Sequence, residues 1–136
     1  MYPESPPSDL SVKPLIEVSA LGEALAAFAA ARNWDRYHSP KNLAMALSGE
    51  VGELSEIFQW LSEDASRSVA KTPETATAVR DELADVMIYL VRLANVLGVD
   101  LNDAVTQKLK KNAENYPVEK AQGNHKKYDK LKEEGN

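Results

Sequence analysis

Two short stretches carry the residues best suited to chemistry. In Ser48-Gly-Glu-Val-Gly-Glu-Leu-Ser-Glu-Ile-Phe-Gln-Trp60, Glu50 and Glu53 lie three residues apart. In Asp81-Glu-Leu-Ala-Asp-Val-Met-Ile-Tyr-Leu90, Glu82 and Asp85 repeat that spacing. On a helix, residues three apart face the same way, so each stretch presents a carboxylate pair. Turning each helix by about 100° per residue places the pairs relative to the apolar faces. Glu50 falls inside the arc of Leu43, Leu47, Val51, Leu54, Ile57, Phe58 and Leu61; Glu53 lies at its edge, with Trp60 two turns on beside it. Glu82 falls inside the arc of Val79, Leu83, Val86, Leu90, Leu93 and Leu97, with Asp85 at the margin and Tyr89 between the two acids. Glu56 and Asp81 point away and read as ordinary solvated acids.

An unpaired buried carboxylate is strongly disfavoured. The helical neighbours of Glu50 are Ala46, Leu47, Leu54 and Ile57, and those of Glu82 are Ala78, Val79, Val86 and Tyr89. None carries a positive charge. Either basic side chains arrive from elsewhere in the fold, or a cation binds. Four carboxylates converging without a cation would repel one another and raise their own pKa values. An all-oxygen set with no Cys and no nearby His suits a hard cation, Mg²⁺ or Mn²⁺, and spacing and arc together favour that reading.

Helices must position these acids, and their start and stop signals are legible. Residues 1–14 hold Pro3, Pro6, Pro7 and Pro14 among Ser and Asp, which reads as a disordered or extended lead-in. A first helix is expected over 18–32, with Leu21, Leu25 and Phe28 as its stripe and a run of Ala raising its propensity. A polar, aromatic connection over 33–39 leads to Ser39-Pro40, an N-cap followed by Pro at the first helical position. The second helix is expected over 40–61 and the third over 73–97, opened by Thr72-Pro73 and ended by Gly98. Between them, 62–71 reads as a polar loop with room for a short helical turn. Asp100 opens a fourth helix, which Pro117 stops after Tyr116. The tail over 118–136 is polar with no period and reads as irregular.

The expected fold is therefore all-α, a four-helix bundle over 15–117 with no convincing strand. Apolar arcs this wide would bury more surface in an oligomer than in a monomer. The length of 136 residues suits one domain. A net charge of −5 argues against binding a nucleic-acid backbone, which calls for a basic stripe. There is no Cys, so no disulfide framework or thiolate chemistry. No apolar run reaches membrane-spanning length, and the first residues lack the basic and apolar regions of a signal peptide, so a cytoplasmic protein is expected.

Taken in order, these residues resemble a known family. Glu50-x-x-Glu53 followed by Glu82-x-x-Asp85 is similar to the E-x-x-E … E-x-x-D signature of the MazG-like all-α nucleoside triphosphate pyrophosphohydrolases. The run Gly49–Trp60, Arg32-Asn-Trp-Asp-Arg-Tyr-His38, Glu82–Leu90, Val99-Asp-Leu101 and Lys108-x-x-x-Asn112-x-x-x-Tyr116-Pro117 resemble one branch, the dCTP pyrophosphatases. The likeness covers about residues 18–117. It implies cleavage of a nucleoside triphosphate to the monophosphate and pyrophosphate, with Mg²⁺ held by Glu50, Glu53, Glu82 and Asp85. It implies a homotetramer, with Trp34, His38, Trp60 and Tyr89 around the nucleoside and Lys108 and Asn112 around the phosphates. It also implies a water activated at the metal centre, and arc position favours Glu53 over the more enclosed Glu50 as the residue that takes its proton.

Some relatives carry a His in the first helix that reaches the base, and Leu25 stands there in this chain. That leaves dUTP or a modified nucleotide as an alternative to dCTP. The blander expectations are that Trp34 and Trp60 are core aromatics, that His38 is a surface hydrogen-bonder and that Lys108 and Lys111 complement a helix dipole. The non-enzymatic alternative is a helical oligomerisation or regulatory module whose acids pair with Lys or Arg across an interface.

Overall fold

Capping residues set the helix starts. In a computed structural model, which describes residues 13–123, the Ser39 hydroxyl accepts from the Asn42 N–H at 3.1 Å and Pro40 opens the helix. Ser62 caps in the same way, accepting from the Ala65 N–H at 3.0 Å, and Asp100 accepts from the Asp103 N–H at 3.0 Å. The helices are α1 (Ser19–Ala31), α2 (Pro40–Phe58), α3 (Glu63–Ser66), α4 (Pro73–Leu97), α5 (Leu101–Asn115) and α6 (Val118–Ala121), with a 3₁₀ turn at Asp35–Tyr37. Among the described residues there is no strand. The expected lead-in and tail lie outside the described residues over 1–12 and 124–136.

Three expectations need correction. The second helix ends at Phe58 rather than Leu61, because the Leu61 N–H turns back to the Phe58 carbonyl at 2.9 Å. The Thr72 side chain does not cap α4; its hydroxyl donates to the Ser68 carbonyl at 2.9 Å, tying down the preceding loop instead. Residues 118–121 form a helical turn, begun by the extended backbone of Pro117, where the sequence showed no period. Gly98 does end α4, with φ 71° in the left-handed region that only glycine enters without cost.

The chain divides into two compact units. One spans residues 18–99, where α2 packs chiefly on α4 and α1 also packs on α4. Its buried residues include Ala29, Leu43, Val69, Val79, Val91 and Ala94, a narrow seam. The apolar arcs read from the sequence are wider than this seam: Val51 is 44% exposed and Leu83 54%. Within this unit α2 and α1 both pack on α4, and the outward part of each arc stays uncovered. On α1 the docking residues are Gly22 and Ala29, while Phe28 of the expected stripe is exposed. The other unit comprises, among the described residues, 13–17 and 100–123; there the Ile16 N–H donates to Asn102 Oδ1 at 3.1 Å, fixing 13–17 to the start of α5.

Gly22 is buried where α1 meets α4, and a Cβ there would press on the Asn95 side-chain amide. Gly22→Val is expected to destabilise the protein by about 1–3 kcal/mol through overpacking. Urea denaturation checks it, and an unchanged midpoint would mean that the exposed Asn95 amide swings aside.

Candidate metal centre and nucleoside site

Three of the four acids meet between α2 and α4. Oxygens of Glu50, Glu53 and Glu82 all lie within 4.8 Å of one another. Asp85, half-buried one turn after Glu82, is outside that group. The offset of about 60° between residues three apart on a helix turns Glu82 to face α2 and leaves Asp85 at the margin. Glu50 and Glu82 are half-buried and Glu53 is exposed.

The oxygens tell more than the residues. Oε2 of Glu50 and Oε2 of Glu82 are both inaccessible and have no hydrogen-bond partner. Leaving such a group unsatisfied costs its full desolvation penalty. The proton answers in part. The Glu82 carboxyl is pushed up from 4.5 to about 7, first because its protonated form hydrogen-bonds to Glu50, then by burial, then by the hydrogen bond to Glu53 and repulsion from both neighbouring charges. A hard cation would satisfy the same oxygens without a proton, and an all-carboxylate donor set fits one. Glu53 and Glu82, with Glu56, Ile57 and Ala78, line an open concavity of about 360 Å³, so the cluster has a route to solvent.

A second group of side chains gathers around the segment 33–39. Asn33 takes φ 56° and turns the chain out of α1, with the Trp34 N–H donating to the Ala29 carbonyl at 2.9 Å. The Trp34 ring meets Phe28 edge-on at 5.7 Å between centroids and tilts against His38 at 6.2 Å. The Arg32 guanidinium lies 3.4 Å over the Phe28 ring. His38 is half-buried, and its Nδ1 accepts from Arg92 Nε at 3.1 Å, a hydrogen bond of the kind the bland reading gave it. Neither Trp is a core residue, since Trp34 is 42% and Trp60 88% exposed. Trp60 lies beyond the end of α2, so a helical projection does not set its direction. Tyr89 is half-buried on α4.

Lys108 and Asn112 share one face of α5, a turn apart, the Lys exposed and the Asn half-buried. Arg92 and Asp35 are the residues that sequence reasoning missed, joined by an ion pair of 2.8 Å. Arg92 did leave a signal, as the single basic residue in the apolar run over 86–94.

An all-helical scaffold whose two packed helices converge three carboxylates on one point defines a class, helical proteins with an acidic centre suited to a hard cation. Within it, the chain belongs to the MazG-like family, whose sequence model matches residues 45–131. That span takes in the four acids, Trp60, Tyr89, Lys108 and Asn112. The dCTP pyrophosphatase 1 of Mus musculus is 47% identical over 106 residues, which are 78% of this chain and 62% of that protein. The dCTP pyrophosphatase 1 of Homo sapiens is 40% identical over 125 residues, 92% of this chain and 74% of that protein. The chain thus spans 62% of the length of the mouse relative it matches. Among solved structures, a pyrophosphatase from Archaeoglobus fulgidus DSM 4304 superposes with a TM-score of 0.69 at 38% identity, over 79% of this chain and 99% of that one. The all-α expectation and the family resemblance both hold. No helix among the described residues is long and apolar enough to cross a membrane.

Proposed function

We propose that this protein is a nucleoside triphosphate pyrophosphohydrolase that converts dCTP to dCMP and pyrophosphate, using Mg²⁺ or Mn²⁺ held by Glu50, Glu53, Glu82 and Asp85. The observation that carries the reading is the pair of inaccessible, unpartnered oxygens on Glu50 and Glu82 beside Glu53. Among the described residues of this chain, no Lys or Arg donates to those oxygens. The substrate is that of the dCTP pyrophosphatases to which the chain is 40–47% identical.

When bound, the cation supplies charge neutralisation for the triphosphate oxygens. The chain's own residues do the rest. Glu53 is the exposed member of the cluster and borders the concavity, so its carboxylate is placed to take a proton from an attacking water, with Glu50 the more enclosed second candidate. Trp60, exposed as it is, offers a face for the base, and stacking of this kind contributes about 1–3 kcal/mol per base. Trp34, His38 and Tyr89 complete the nucleoside contacts, and Lys108 and Asn112 serve the phosphates. A homotetramer is part of the same proposal, supported by large apolar side chains left outward, Met45 at 66% and Leu97 at 54% exposure. The compartment proposed is the cytoplasm.

Incubation of dCTP with the protein, with and without Mg²⁺, tests the reading. dCMP and pyrophosphate are expected in equal amounts and only with the metal. No turnover of dCTP, dUTP or other nucleoside triphosphates would sink it.

A further inference from the structure

Arg92 lies on α4 with its side chain only 11% exposed, though it faces an Asp35 that is 61% exposed. Its Nε–H donates to His38 Nδ1 at 3.1 Å and its Nη2 donates to Asp35 Oδ1 at 2.8 Å. A guanidinium is a donor at every nitrogen and accepts nothing. His38 Nδ1 therefore accepts with its lone pair, and the proton of the neutral ring sits on Nε2. The imidazole is left with a single N–H, on the nitrogen that does not face Arg92. Trp34 tilts against this same ring and Phe28 meets Trp34 edge-on. One enclosed guanidinium from α4 thus fixes the orientation of His38, its tautomer and the neighbour of the Trp34 indole. An arginine serving only to anchor the segment 33–39 would satisfy Asp35 or a backbone carbonyl equally well. The contact to a ring nitrogen is what sets the polarity of the other side of the ring.

We propose that Arg92 is a positioning residue for nucleoside recognition: it holds His38 as an Nε2–H donor, complementary to a keto oxygen or an unprotonated ring nitrogen of the base and not to an exocyclic amino group. The inference rests on the nucleotide reading above. It adds Arg92 and Asp35 to the residues on which nucleoside binding depends, and gives His38 a defined donor role.

The test combines a spectrum with kinetics. The chain has two histidines, so long-range ¹H–¹⁵N correlation spectra of labelled protein at alkaline pH can be assigned with a His38→Gln variant. The native protein is expected to show the Nε2–H tautomer at His38, and Arg92→Ala a mixture of both tautomers. With Mg²⁺ and dCTP, Arg92→Ala is expected to raise KM about tenfold, as loss of a charge-assisted hydrogen bond would, with a smaller change in kcat. In a His38→Ala background the same change should move KM by less than about twofold, the limit of additivity for independent sites. An unchanged tautomer in Arg92→Ala overturns the proposal, and so does an equal KM penalty in both backgrounds. If the native protein turns over no nucleotide, it is the nucleotide reading that falls; with turnover intact, these two results bear on Arg92 alone.

Discussion

Glu82→Gln is expected to abolish nucleotide hydrolysis while raising the melting temperature of the metal-free protein above pH 7, where the Glu82 carboxyl has lost its proton. The two effects have one cause. Glu82 sits against Glu50 and Glu53, and its Oε2 and that of Glu50 lack any donor. A glutamine keeps the shape, removes one negative charge and brings an N–H₂ that can donate to Glu50. The folded chain gains a hydrogen bond and loses a repulsion. The hard-cation centre loses a charged ligand, and with it charge neutralisation during phosphoryl transfer, so turnover should fall on the order of 10³-fold or more. Glu50→Gln should behave alike, because Glu50 holds the other unpartnered oxygen. The measurements are kcat/KM with dCTP and Mg²⁺, and calorimetric melting with chelator present. Full activity in Glu82→Gln would remove the cluster from the mechanism. A large loss of both activity and melting temperature would instead mark Glu82 as structural.

The acid pairs were legible because helical spacing is local. Three residues apart on an amphipathic helix fixes which face an acid shares, and the apolar arcs told Glu50 from Glu56 and Glu82 from Asp81. The helix starts were legible for the same reason: Ser39-Pro40 and Asp100 act within one turn. The residues that remained hidden depend on contacts distant in sequence. Arg92 reaches His38 and Asp35 across more than fifty residues, separations of 54 and 57, and no periodicity announces such a partner. Its place in an apolar run was the available cue. The end of α2 was less legible: periodicity carried the helix on to Leu61, and it closes at Phe58, with Trp60 beyond it. The arcs overstated the core as well, since periodicity tells which side of a helix is apolar and not how much of that side a neighbour covers.

Divalent cation and pH should act on stability through the same three carboxylates, in opposite senses. In metal-free protein the folded Glu82 titrates near 7, above the 4.5 of an unperturbed carboxyl. The folded chain therefore holds that proton more tightly than the unfolded chain does. The stabilisation from this linkage is complete below the unfolded value and is lost as pH rises through the folded one. The melting temperature with chelator is thus expected to fall between about pH 5 and pH 8, and Glu82→Gln should flatten that limb because its amide does not titrate. Mg²⁺ competes with the proton for the same oxygens, so its effect should be small near pH 5 and large near pH 8. At a hundredfold excess over Kd, binding to the folded state alone raises the melting temperature on the order of 10 °C for a domain of this size. Thermal scans across that pH range, with and without Mg²⁺, measure both effects. A Mg²⁺ shift that is the same at both ends would mean that proton and cation occupy different places. No shift at pH 8 would leave the inaccessible oxygens of Glu50 and Glu82 satisfied by something other than a cation.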